Sequence, residues 1–354
     1  MQSYVRYTII FKLSFLVLVS SFLVGVNNNG NIYALQQKGP HLNFSFSVTG
    51  DWGCGLNAID IVDGIVEKEP QLVISTGDLS YAKTANCWFD AISPLDKNGK
   101  IRIAFGDHDL DNNLTKYYQY TNHFKLNKPY YSFNYGNVHF LAMATGRDGI
   151  IPYGDNSAQY RFVIQDLANA YNNKSIGWII VYGYMPFYSS PTKHPGDTKV
   201  HRIYHPLLDK YGVDLVIQGH KHNYQRTYPL IYDTLNDSSP IVTSKSTRQY
   251  NHDTKGPIFI TVGTAGQNLY NFTGKAPYII TQFLRHGFLN VNITDNGSML
   301  DAAFIEAGSG KVSDRFSILK NNRYYLRAQD RVRIEIEERK YCERTIKRIA
   351  TPLI

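Results

Sequence analysis

Cysteine is scarce, with three in 354 residues. The spacing of Cys54, Cys87 and Cys342 resembles no zinc motif. In an oxidising compartment Cys54 and Cys87 would pair and leave Cys342 alone; three free thiols are the alternative, and the sequence leaves both open. Beyond the N-terminus no apolar run is long enough to cross a membrane, and no repeat period is present. The aromatic–basic pattern of an RNA-binding sheet is also missing, so the net charge of +8 does not point to nucleic acid. Much of that charge sits at the C-terminus, where Lys320 to Ile354 hold ten Lys/Arg against five Asp/Glu. A basic surface of this kind attracts phosphorylated substrates or anionic cell-surface polymers.

The chain is 43% hydrophobic and 14% aromatic, with 27 tyrosines, a globular composition with a sizeable core in one large domain or two. Arg6 and Lys12 precede an apolar run from Leu13 to Val26, then a polar stretch and Ile32-Tyr33-Ala34. That order is expected of a signal peptide over residues 1–34, or of an uncleaved anchor, the only route to a membrane. A secreted or cell-surface glycoprotein is the corresponding expectation, because seven Asn-x-Ser/Thr sequons begin at Asn43, Asn113, Asn173, Asn236, Asn271, Asn292 and Asn296.

Short β-rich runs then alternate with helical patterns. Strands are expected at Phe44–Thr49, Gln71–Thr76, Ile101–Phe105, Ile176–Val181, Val213–Ile217 and Pro257–Val262, and a strand pair over Tyr130–Ala144. Helices are expected over Asn57–Lys68, with Ile59, Val62, Ile65 and Val66 on one face, and over Ser157–Tyr171 and Val200–Tyr211. This alternation predicts an α/β sheet with helices packed outside it and ligands at the C-terminal strand edge. One strand after another ends there in a glycine beside a polar residue: Gly50-Asp51, Gly77-Asp78-Leu79-Ser80-Tyr81, Gly106-Asp107-His108-Asp109 and Gly219-His220-Lys221-His222. An Asp beside Gly is singly more often a turn residue. Four such turns in this order read as a metal site of mixed oxygen and nitrogen ligands.

The order GDWG, GDLSY, GDHD and GHKH resembles the purple acid phosphatases of the calcineurin-like metallophosphoesterase superfamily, most closely their small, tartrate-resistant branch. The resemblance covers roughly His41 to Lys320, and Phe304-Ile305-Glu306-Ala307 resembles that branch's final strand. It implies a four-layer α/β/β/α sandwich of two mixed β-sheets flanked by helices, with a catalytic domain over 41–320 and a basic extension over 321–354. It also implies a dinuclear metal centre. Iron would be held by Asp51, Tyr81 and His222, with Asp78 bridging to a second ion on His220. At that second ion Asp107 stands where the family has Asn, and Tyr184 where it has His. The oxygen-rich set disfavours zinc relative to manganese, iron or magnesium. Tyr184 as a packing aromatic, with the second position weak or empty, is the alternative.

By the same resemblance His108 contacts phosphate and protonates the leaving group, and His194 is a second outer-sphere histidine; Asp109 is expected to orient the His108 ring, as carboxylates orient catalytic histidines. His201 and His205 are expected at the surface. The Gly263-Thr264-Ala265-Gly266 segment is expected to close the sheet, or to bind phosphate through its amides. The implied activity is hydrolysis of phosphate monoesters, small molecules or phosphoproteins, by a metal-bound hydroxide at acidic pH. A phosphodiesterase and a non-catalytic scaffold are the alternatives.

Overall fold

A computed structural model of the protein describes residues 24–26, 32–34 and 42–320, apart from Asn98 and residues 194–198 and 252–253. Among the described residues before 42, β1 (Val24–Val26) pairs antiparallel with β2 (Ile32–Ala34). The rest of the expected signal segment and the 321–354 extension lie outside the described residues.

From Leu42 onward the chain builds two mixed sheets. One takes the order β12 (Gln249–Asn251), β17 (Val312–Leu319), β16 (Met299–Glu306), β15 (Gly287–Thr294), β3 (Phe44–Thr49), β4 (Leu72–Ser75) and β5 (Ile101–Ile103). The other runs β11 (Ile241–Val242), β10 (Tyr224–Ile231), β13 (Ile258–Val262), β9 (Leu215–Gln218), β8 (Trp178–Gly183), β7 (Val138–Ala142) and β6 (Tyr131–Tyr135), with β14 (Ile279–Phe283) also paired to β10. Strands β3, β4 and β5 are parallel, as are β7, β8, β9 and β13. Their C-terminal ends therefore form two parallel rows of loops. The antiparallel strands of the C-terminal third complete each sheet.

Alternate side chains of the two sheets meet in one apolar layer. Phe46, Val48 and Ile74 of one sheet face Phe140, Ile180, Ile217 and Ile260 of the other, and Phe46 stands edge-on to Phe140 at 5.2 Å. Burial of each large apolar side chain contributes about 1.5–3 kcal/mol. Two outer layers seat the helices. Helices α1 (Leu56–Lys68) and α2 (Asn86–Asp96) pack with α3 (Thr115–His123) on the seven-stranded sheet; α4 (Ala158–Asn172) and α5 (Lys199–Lys210) pack on the other. This is the expected sandwich of two mixed sheets flanked by helices.

Three expectations change. The inward face of α1 is Ala58, Ile61, Val62 and Ile65, while Ile59 and Val66 are 44% and 42% exposed. The helical period was right and its phase was about one residue out, because the small Ala58 lies at the contact. His201 and His205 are buried, because they share with Tyr204 and Leu208 the face of α5 that meets the sheet. There His205 Nδ1 lies 2.7 Å from the Tyr188 hydroxyl. The Phe304–Ala307 segment is not a final strand; Phe304–Glu306 ends β16, Ala307 begins the turn, and β17 follows on the sheet. Helices α2 and α3 were not among the expected elements: α2 buries Trp88, Ile92 and Leu95 at helical spacing but encloses Pro94, and α3 is mostly polar and tyrosine.

Candidate metal centre

The loops that leave β3, β4, β5, β8 and β9 meet at one edge. Their approach is closer than side chains allow at the glycines: a Cβ on Gly106 would lie 2.1 Å from Asp78 Oδ1, and one on Gly263 would lie 2.5 Å from Asp51 Oδ2. The residues after three of the glycines carry the strain. Asp51, Asp78 and His220 have φ of 59°, 50° and 67°, a left-handed backbone that costs a non-glycine residue on the order of 1–3 kcal/mol. Three such residues at a single edge mark a site whose geometry is held by the surrounding fold.

Asp51, Asp78, Tyr81 and His222 aim donor atoms at one point. The Tyr81 hydroxyl lies 2.9 Å from Asp78 Oδ2, 3.4 Å from Asp51 Oδ1 and 3.0 Å from His222 Nε2, and His222 Nε2 is 3.2 Å from Asp51 Oδ1. Two donors at right angles around an ion, each about 2.1 Å from it, lie about 3 Å apart. His222 is fixed in the tautomer a metal requires, because its Nδ1 sits 2.8 Å from the carbonyl of Asn268 and must donate to it. Nε2 is therefore the ring nitrogen that faces the carboxylates, donating to Asp51 when the ring is protonated and offering a lone pair when it is neutral. Tyr184 stands across Asp78. Its hydroxyl lies 2.7 Å from Asp78 Oδ2, 2.9 Å from Asp107 Oδ1 and 2.9 Å from His220 Nδ1. Each phenol faces two carboxylates and has one proton to give. The missing positive charge is what a cation supplies, so these donors fit a metal ion.

The electrostatics agree. The Asp78 carboxyl is held well above the carboxylate range by burial, then by the charges of Asp51, Asp107 and Asp109. Burial raises the pKa of Tyr81, helped by the charges of Asp51 and Asp78, and burial raises that of Tyr184, helped by the charges of Asp78, Asp51 and Asp107. Burial lowers that of His222, but its hydrogen bond to Asp51 and the charge there outweigh burial, and the net shift is upward. Among the described residues no Lys or Arg side chain forms a salt bridge with any of these carboxylates.

His108 is at the exposed rim, its ring 4.3 Å from that of Tyr81. Its backbone N–H donates to Asp78 Oδ1 at 2.9 Å, and Asp78, Asp107 and His108 bring ligand atoms within 4.8 Å of one another. Asp109 does not orient His108 through either oxygen. Fully buried, it accepts from the backbone N–H groups of Leu79 at 2.9 Å and Gly106 at 2.8 Å, so it ties the loop after β5 to the loop after β4. Burial pushes its pKa up to about 7. His194 lies outside the described residues. The amides of Ala265, Gly266 and Gln267 are spent on the carbonyls of Gly50 and Asp51, which fits the sheet-closing role and leaves them unavailable for phosphate.

Two further contributors stand beside these donors, the first of them without any local signal. Tyr270 stacks on His222 with ring centroids 4.1 Å apart and planes at 13°, and nothing in its neighbourhood singles it out among 27 tyrosines. The second is the disulfide between Cys54 and Cys87, which settles the open cysteine question. It joins the loop of Asp51 to the start of α2, just after Tyr81.

Comparison with known proteins supplies the family. The profile of the family described as Calcineurin-like phosphoesterase matches residues 44–224. The chain belongs to the calcineurin-like phosphoesterases. Such phosphoesterases use a dinuclear metal centre. Purple acid phosphatase 15 of Arabidopsis thaliana is 25% identical over 260 residues, which cover 62% of this chain and 44% of the relative. Among solved structures, a purple acid phosphatase isolated from yellow lupin seeds matches with a TM-score of 0.66 at 22% identity, over 79% of this chain and 54% of that one. GAP50, the anchor in the inner membrane complex of Plasmodium, matches with a TM-score of 0.58 at 16% identity, over 79% of this chain and 90% of that one. The phosphoesterase thus spans about half the length of the curated relatives it matches.

Proposed function

We propose that the chain is an exported, metal-dependent hydrolase of phosphate monoesters, with an acidic working range. The observation that carries this reading is the convergence of Asp51, Asp78, Tyr81 and His222 on one point, with the donor spacings of 2.9–3.4 Å given above. Likeness to purple acid phosphatases supports the monoester class. Bound between these residues, the ions supply an activated nucleophile and offset charge on the phosphoryl oxygens. His108 stands at the rim, where a leaving group departs. Burial lowers its pKa, so it carries a proton to donate only in acidic solution, which favours an acidic optimum. Iron at the Tyr81 position follows from the hard phenolate donor. Purified chain reconstituted with iron plus manganese or zinc is expected to release phosphate from a generic aryl phosphate, faster than it cleaves the matching diester. Absence of release between about pH 4 and 8, the span over which carboxylates and histidine titrate, would falsify the reading.

Export is supported by the disulfide, which persists in oxidising compartments, and by the sequons. Six of the seven sequon asparagines are exposed, Asn292 on β15 being the exception. Protein recovered from its native cell is expected to begin after the 1–34 segment and to lose mass on endoglycosidase treatment. An intact N-terminus together with an unmodified mass would count against export. A non-catalytic anchoring role is the second reading, favoured by the fold shared with GAP50 over 90% of that chain. Chains that carry one ion or none and lack hydrolysis would support it.

A further inference from the structure

The two halves of the centre are alike in a way that the motif order does not announce. Asp78 Oδ2 lies between two phenols, 2.9 Å from the Tyr81 hydroxyl and 2.7 Å from the Tyr184 hydroxyl. Around that shared oxygen each side repeats the same three donor types, with Nε2 the imidazole nitrogen on one side and Nδ1 on the other. Tyr81 has Asp51 Oδ1 at 3.4 Å and His222 Nε2 at 3.0 Å. Tyr184 has Asp107 Oδ1 at 2.9 Å and His220 Nδ1 at 2.9 Å. One carboxylate, one phenol and one imidazole thus flank the bridging carboxylate oxygen on either side. The symmetry is assembled from both sheets, since Tyr81 follows β4 and Tyr184 follows β8. Tyr184 is also held in place from behind. Its backbone N–H donates to Thr145 Oγ1 at 3.3 Å, its carbonyl accepts from Gly219 at 3.0 Å, and its ring is 1% exposed.

We propose that Tyr184 is the second phenolate ligand of a chemically symmetric centre, which binds two ions of the same kind rather than an unlike pair. Selectivity between metals follows donor type and geometry. Two positions with the same donor types at similar spacings have little means of telling two different ions apart. The inference rests on the metal-dependent reading above for the presence of ions, and it reaches beyond that reading in fixing how many phenolates bind and which ions pair.

Iron is the probe, because phenolate bound to ferric iron absorbs visible light. The full chain titrated with ferric iron is expected to bind two equivalents, with the visible band growing up to the second. Tyr81→Phe and Tyr184→Phe are each expected to reduce the band by about half, and the double variant to lose it. Saturation of the wild-type band at one equivalent would overturn the proposal without recourse to any variant, as would a Tyr184→Phe protein that keeps the full band. Offered iron and zinc together, the wild type is expected to take the same iron-to-zinc ratio at both positions, so that Tyr81→Phe and Tyr184→Phe lose equal shares of the visible band; a fixed one-to-one pair with iron confined to one phenol would also overturn it. Hydrolysis with a single phenolate band sinks this inference and leaves the hydrolase standing. Two phenolate-bound irons without hydrolysis does the reverse.

Discussion

Asp78→Asn is expected to abolish metal retention and to cut hydrolysis by more than about 10³-fold, beyond the cost of deleting one hydrogen-bond donor to a transition state, while raising the melting temperature of the metal-free protein. The opposed signs follow from its position. Asp78 Oδ2 is the one oxygen common to both halves of the centre, so its loss strips both. Without metal it is a buried carboxyl beside Asp51, Asp107 and Asp109, and removing its charge relieves repulsion worth about 0.5–2 kcal/mol. At an ion concentration about 100 times the Kd, loading stabilises the wild type by about 2.7 kcal/mol, a gain the variant forgoes.

The pH dependence has a defined sign. Asp78 and Asp109 have folded-state pKa values above the ordinary 3.8, that of Asp109 at about 7. Groups raised in this way contribute stability below 3.8 and lose it as pH rises through the folded-state value. The metal-free wild type is therefore expected to melt at a lower temperature at pH 8 than at pH 5, with a shallower slope in Asp78→Asn. Calorimetry of chelator-treated protein measures both. An unchanged or lower melting temperature for the metal-free variant at pH 8 would refute the account of repulsion.

Asp314→Ala is expected to cost about 3–5 kcal/mol of stability, the usual price of leaving one member of a buried ion pair alone. Arg226 on β10 is 1% exposed and makes a two-point contact with Asp314 on β17, Nε to Oδ2 at 2.6 Å and an amino nitrogen to Oδ1 at 2.8 Å. The pair therefore joins the two sheets. Tyr224 also donates to Asp314, at 2.8 Å. The Tyr250 hydroxyl and the Thr247 carbonyl that remain around the guanidinium are neutral and cannot balance its charge. Replacing both partners with apolar residues of similar size is expected to recover most of the loss. Denaturant unfolding tests this; a loss below about 1 kcal/mol, the range of an exposed pair, would show that the bridge is solvated.

Much of the site was legible because its chemistry is local. Four of the candidate donors sit soon after a strand and beside a glycine, so Gly50-Asp51, Gly77-Asp78, Gly106-Asp107 and Gly219-His220 advertise both the turn and the donor within two residues. The parallel strands were legible for a similar reason, as short apolar runs that end at those glycines. The antiparallel C-terminal third was harder. Strands β15, β16 and β17 form two consecutive hairpins, but β15 also pairs with β3 and β10 pairs with β13 and β14 at long sequence separation, and the Phe304–Glu306 residues give no hint that β17 folds back beside them. The phase error in α1 has the same origin, since which stripe faces inward depends on what it meets.

The sequence by itself determined the α/β class and the placing of candidate donors at the strand edge, because turn chemistry and apolar period are properties of neighbouring residues; the family came from the resemblance carried by the motif order. Only the tertiary structure decided that Cys54 meets Cys87, that Asp109 serves two backbone amides, that Tyr270 stacks on His222, and that Tyr184 faces Asp78, Asp107 and His220 together. These are contacts across loops from different strands, in part from different sheets. Their distances are set by how the two sheets pack, a quantity that no local stretch of sequence encodes.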